Sequence, residues 1–145
     1  MAIWFGSRSA LLKWLIWWRV SMEEIEAQVR SYDLLDFWQS ARGVSMLLLF
    51  AAALAISALI LAHVWPATGY VDVGALGILA VLVYGGYGWA ILATMMFWTA
   101  ANAAAVAWPA TALNPLVAML WWAVTMRALW LAWRIEKARA ATSAP

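Results

Sequence analysis

The sequence predicts an all-α fold: a polytopic bundle of membrane-spanning helices preceded by amphipathic helices at the interface. Three observations carry the prediction. Of 145 residues, 68% are apolar and 11% charged, whereas water-soluble domains are roughly half apolar. Residues 43–126 contain neither Lys nor Arg, and their only acid and imidazole are Asp72 and His63. Within hydrocarbon every backbone amide must be satisfied inside its own element, and runs such as Leu47 to Leu61 lack the period-two alternation of a barrel strand. The 13 Trp residues suit the bilayer interface, where ring and N–H are both accommodated; they mark depth rather than chemistry.

Residues 1–42 carry five basic and five acidic groups and read as a cytoplasmic or interfacial region. Arg8, Lys13 and Arg19 flank a short apolar stretch, as in a secretory signal. Lys13 interrupts that stretch, however, and no small-residue cleavage site precedes Glu23, so the segment is expected to stay attached. Leu11, Trp14, Leu15 and Trp18 fall on one helical stripe, predicting an interfacial helix. Ser21 and Glu24 have capping-box spacing and start a second helix with the stripe Met22, Ile25, Val29 and Tyr32. Leu34, Leu35 and Trp38 lie on another face, predicting a break between Tyr32 and Asp36. The acids keep residues 21–36 out of the hydrocarbon. The stripe Met22, Ile25, Val29, Tyr32 must therefore rest on headgroups, another helix or a partner, and these four residues are the partner-docking candidates.

The first span is expected over about 44–65, ending at Pro66, where the fixed φ and missing amide stop a helix. From Val71 to Trp108 a single helix would measure about 57 Å, roughly twice the hydrocarbon thickness. Gly85, Gly86 and Gly88 supply a turn that divides it into spans of about 70–84 and 89–108. The last span, about 113–133, follows a loop from Pro109 to Pro115, and residues 135–145 form a basic cytoplasmic tail. The alternative is three spans, with one long tilted helix from Val73 to about Ala101. Lys and Arg near span ends stay cytoplasmic. Both chain ends are basic, while Trp65–Asp72 and Trp108–Asn114 contain no Lys or Arg, so an even number of spans fits and four are favoured. The repeated tetrapeptides Trp65-Pro66-Ala67-Thr68 and Trp108-Pro109-Ala110-Thr111 then end the first and third spans on one face, as in a parallel two-helix repeat. Ala-rich spans and an uncleaved basic amino end fit a bacterial inner membrane, with both termini cytoplasmic.

The absence of Cys excludes disulfides, thiolate ligands and cysteine nucleophiles. His63 could carry a proton or ligate haem or a metal. No second His or Cys completes a closed metal site, and bis-histidine haem would require another chain; two residues before Trp65, it reads as an interfacial anchor. Arg127 lies within the last apolar run, about 10 Å from Arg134 at helical rise. It is expected to snorkel to the headgroups or to pair with an acid such as Asp33 or Asp36. Asn102, among alanines, should seek an interhelical hydrogen bond; Asn102 and Arg127 are the helix-packing or pore candidates. Pairs such as Ala51/Ala55, Ala58/Ala62 and Ala101/Ala105 allow close helix approach. The glycines resemble no phosphate loop, since no Lys-Ser or Lys-Thr follows.

Trp122, Met126, Trp130 and Trp133 form a stripe that could receive a quinone, pigment or sterol-like lipid, making Trp122, Trp130 and His63 the cofactor candidates. Such spacing usually marks packing or a lipid-facing surface, so no cofactor is assigned. The membrane region lacks paired carboxylates, a Ser/His/Asp set and a metal-ligand cluster, which argues against an enzyme working alone. The tail lacks the aromatic interleaving of single-stranded nucleic-acid binders, and anionic lipid is its expected partner. The expected function is a small non-catalytic membrane subunit or assembly factor of a larger complex, docking Met22 to Trp38 on a partner. The alternatives are a homo-oligomeric channel or small transporter using Asn102, Arg127 and His63, and a redox subunit using His63 and the Trp stripe.

Overall fold

A computed structural model describes residues 22–32, 34–107 and 115–142, the side chains of 105 and 106 aside. The stripe from Leu11 to Trp18, the capping role of Ser21, Asp33, and the second tetrapeptide with its Pro109 loop lie outside the described residues. Among the described residues there are five helices and no strand: α1 Met22–Arg30, α2 Ala41–Leu61, α3 Gly69–Tyr84, α4 Gly88–Ala107 and α5 Pro115–Thr142. Two of them, α2 and α5, are long and apolar enough to cross a membrane. Helix α3 has 16 residues, about 24 Å at helical rise.

Local chemistry sets the boundaries. Ser40 caps α2, its Oγ accepting from the Gly43 amide at 3.1 Å and so satisfying a donor that the first turn leaves free. Gly43 is required there, since an added Cβ would lie 2.0 Å from the Phe37 carbonyl oxygen. Helix α2 stops at Leu61 rather than near residue 65. Its last carbonyls accept from the turn instead, with Val64 N on Leu59 O at 2.9 Å and His63 N on Ile60 O at 3.0 Å. His63 itself turns left-handed, at φ +58°. Pro66 disfavours helical backbone in the residue before it, and the chain leaves the helix a turn earlier than a hydropathy reading allows.

The long stretch after Val71 divides where the glycines stand. Helix α3 ends at Tyr84 and α4 begins at Gly88, with Gly86 at φ +77°, a backbone conformation that glycine adopts without Cβ strain. No helix runs through from Val73 to Ala101. Conversely, α5 does not stop near residue 133: it continues to Thr142, so the described part of the basic tail is helix. Its Ala, Glu, Lys and Arg are good helix formers, and Ile135, 4% exposed, anchors the extension to the core.

Helix α2 contacts α3 and α5, and α4 contacts both α3 and α5; the pairs α2/α4 and α3/α5 do not meet. The four therefore form a ring in which neighbours run antiparallel. Leu49, Leu76, Ala80, Val83, Ile91 and Leu129 fill its interior. Outside the ring, α1 lies on α5. The outer surface is itself apolar: Leu54, Val71, Ile78, Met96 and Leu116 are each more than half exposed.

Candidate functional site

The ring's antiparallel order brings the start of α2, the α3–α4 turn and the end of α5 to one end of the molecule, and polar side chains gather there. Tyr32, just past α1, is the node. Its hydroxyl donates to Glu136 Oε1 and accepts from Arg42 Nη1 at 2.8 Å. Two guanidinium groups flank its ring, Arg139 at 4.2 Å and Arg42 at 4.3 Å from the centroid, where the ring's negative face attracts cations. Arg139 also pairs with Glu136 at 3.6 Å. Gly86 lets the α3–α4 turn come close, since an added Cβ would lie 3.3 Å from the Glu136 carboxylate.

The α1–α2 connector is tied to the same end. Gln28 Oε1 accepts from the Ala41 amide at 3.2 Å, and Phe37 packs on Tyr84 with ring centroids 5.3 Å apart. Burial pushes the Tyr32 hydroxyl above its ordinary pKa of 10.0, and its hydrogen bond and proximity to Glu136 add to this against the opposing charges of Arg42 and Arg139. At neutral pH Tyr32 is thus a neutral phenol able to donate to a carboxylate. The cluster's chemistry is that of a latch joining α1, α2 and α5, with the α3–α4 turn resting on it.

The docking stripe of α1 faces its own chain at Ile25, Val29 and Tyr32, while Met22 is 59% exposed. Ile25 is 3% exposed, Val29 and Tyr32 pack against the core, and Met22 Sδ accepts from Arg134 Nη2 at 3.5 Å. Arg127 meets an acid of the amino-terminal region, Glu24 at 3.8 Å, rather than Asp36. Asn102 Nδ2 donates to the Trp98 carbonyl at 2.8 Å, within its own helix. The α4–α5 link runs instead through Trp122 Nε1, which donates to Thr99 Oγ1 at 3.1 Å, so Trp122 serves packing. Trp130, 40% exposed, stacks on Trp133 at 5.0 Å. His63 is exposed in the turn after α2, at the end opposite the cluster.

Sequence reading names Tyr32 for its stripe but misses its partners Arg42, Glu136 and Arg139. One signal was there: Glu136 is the only acid in the tail, and a lone carboxylate amid cations is generally paired. In the ring interior, Trp98 Nε1 and Thr125 Oγ1 are buried without a hydrogen-bond partner among the described residues. No group of three or more His, Cys, Asp or Glu among the described residues could hold a metal ion. Comparisons with family models, with curated proteins and with solved structures return no match.

Proposed function

We propose that the chain is a four-span bundle of a bacterial inner membrane, with both termini cytoplasmic. It acts as a small non-catalytic subunit or assembly factor that presents its α1 flank to a larger membrane protein. Helices α3 and α4 are the second and third spans, the turn at Gly85–Tyr87 is cytoplasmic, and the turn after α2 faces outward. The apolar outer surface of the ring supports this, as does the gathering of Arg42, Arg134, Lys137 and Arg139 at one end, because basic residues near span ends stay cytoplasmic.

The observation that carries the partner reading is the surface left once α1 has docked. Ile25 of its stripe is buried and Val29 and Tyr32 pack on the core, yet Met22, Leu34 and Trp38 are 59%, 85% and 72% exposed, and Glu23, Glu26 and Asp36 of the same segment are exposed. Mixed aromatic and acidic surface of this kind suits neither lipid tails nor water, and fits a protein interface with an apolar centre and a polar rim. The test is purification from the native membrane in mild detergent through a carboxyl-terminal tag, for the natural chain and for Leu34→Ser/Trp38→Ser. Larger subunits in fixed proportion, lost in the double variant, support the reading. A uniform homo-oligomer in both preparations overturns it in favour of the channel.

A further inference from the structure

Beside the Tyr32 latch, a cleft of about 400 Å³ opens between the α3–α4 turn and the last turns of α5, lined by Gly86, Gly88, Trp133, Glu136, Lys137 and Arg139. We propose that this cleft seats the phosphate of an anionic phospholipid, an inference that rests on the membrane-spanning reading above. The missing side chains of Gly86 and Gly88 make the room. Lys137, exposed, has its ammonium 5.1 Å from the Trp133 ring centroid, and the Arg139 guanidinium lies over Tyr32. A headgroup phosphate seated there can bond the Lys137 ammonium, with Arg139 adding its charge from the Tyr32 side of the cleft.

Glu136 is the one acid of the cleft, and its charge is already answered: Oε1 accepts from Tyr32 and Oε2 faces Arg139 at 3.6 Å. The cations outnumber it. Below the cleft the surface suits acyl chains. On α4, Trp89, Leu92 and Met96 are exposed at 62%, 43% and 76%, and their spacing places them along one side of the helix leading away from Gly88. On α5, Trp130 and Trp133 supply the stacked indoles that settle at headgroup level. Headgroup charge, aromatic collar and apolar track thus follow one another in the order of a lipid molecule.

The experiment titrates phosphatidylglycerol against phosphatidylcholine onto the purified full chain, with bound lipid read by native mass spectrometry. Flotation with phosphatidylcholine vesicles is a preliminary. The natural chain should retain one phosphatidylglycerol in preference. Lys137→Gln should weaken this about fivefold, the typical worth of one basic residue at an anionic surface. Gly88→Leu keeps the charge and adds a side chain to the lining of the cleft from a Cβ that meets nothing within 4 Å, and binding should fall at least as far. Arg30→Gln, on the exposed side of α1, should leave binding unchanged. Equal loss in Lys137→Gln and Arg30→Gln with Gly88→Leu silent would reduce the effect to general surface charge and overturn the cleft. Displacement by an equal concentration of inorganic phosphate would assign the site to a soluble phosphate compound instead. A chain that floats yet shows no preference refutes the cleft alone; one that does not float refutes the membrane reading beneath it.

Discussion

Removing the Tyr32 hydroxyl tests whether the polar cluster holds its end of the bundle together. In Tyr32→Phe the ring stays beneath Arg42 and Arg139, so the cation–π contacts survive and only the two hydrogen bonds go. A buried hydrogen bond to a charged group contributes about 1.5–3 kcal/mol. Tyr32 is only partly buried and water replaces some of what is lost, so the expected cost is about 1–2 kcal/mol. Glu136→Ala should cost about the same, since it strips the acceptor of Tyr32 and the partner of Arg139. The two share one bond, and the double variant should therefore fall short of the summed losses by about 1 kcal/mol. Reversible unfolding in mixed micelles, followed by Trp fluorescence, reads these values; Tyr70→Phe, 49% exposed in the wild type at the other end of α3, serves as the silent control. Additivity of the two losses within about 0.3 kcal/mol would refute the latch.

The remaining predictions use the same unfolding assay or a labelling one. Because the folded-state pKa of Tyr32 lies above its ordinary 10.0, its contribution is complete below pH 10 and is lost as pH rises through the raised value; the stability gap between natural chain and Tyr32→Phe should narrow there, and a gap that does not narrow at any pH above the ordinary value would contradict the assignment. Gly43→Ala drives a Cβ to 2.0 Å from a backbone carbonyl and should cost upwards of about 3 kcal/mol, whereas Gly74→Ala, in open space within α3, should gain about 0.5–1 kcal/mol; the reverse order would mean that the α2 start is wrongly described. The chain contains no cysteine, so single-cysteine variants label without background. Tyr87→Cys should react from the cytoplasmic face and Thr68→Cys from the other, and both reacting from one side would leave α3 short of crossing.

Much of the architecture was legible because it rests on local chemistry. The glycine turn between Tyr84 and Gly88, the stop before Pro66 and the helical stripe of Met22 to Val29 are each written in a few adjacent residues. The end of α2 was placed too late because hydropathy sees Val64 and Trp65 as span residues, whereas the left-handed turn at His63 is a backbone event. Helix α5 runs on to Thr142 past the span boundary read at Arg134 and Lys137, because a helix need not end where its environment changes. The cluster was not legible, since Tyr32 and Glu136 are brought together only by the ring's antiparallel order. Asn102 shows the converse: its surroundings invite an interhelical bond, yet a carboxamide can satisfy itself on the carbonyl one turn back.

The pair Glu24–Arg127 bears on what covers the α1 flank. Arg127 is nine residues before Glu136 on α5, about 13 Å at helical rise, and its guanidinium meets Glu24 of α1, two residues from Met22, which meets Arg134 nearer the end of α5. The outward side of α1 carries Glu23 and Glu26, both exposed. A charged side chain held in hydrocarbon costs at least about 2.5 kcal/mol on insertion scales, so lipid tails packed over this side would exact about twice that for the two acids. Either water reaches down this flank or a protein surface with its own cations lies on it. Glu23→Leu/Glu26→Leu separates these cases from lipid cover. If tails cover α1, the double variant should unfold later in micelles and keep any partner; if a partner covers it, isolated stability should change little while co-purification of that partner falls steeply. A gain in stability with the partner retained would remove α1 as the docking element and leave Leu34 and Trp38 to be explained by the headgroup layer.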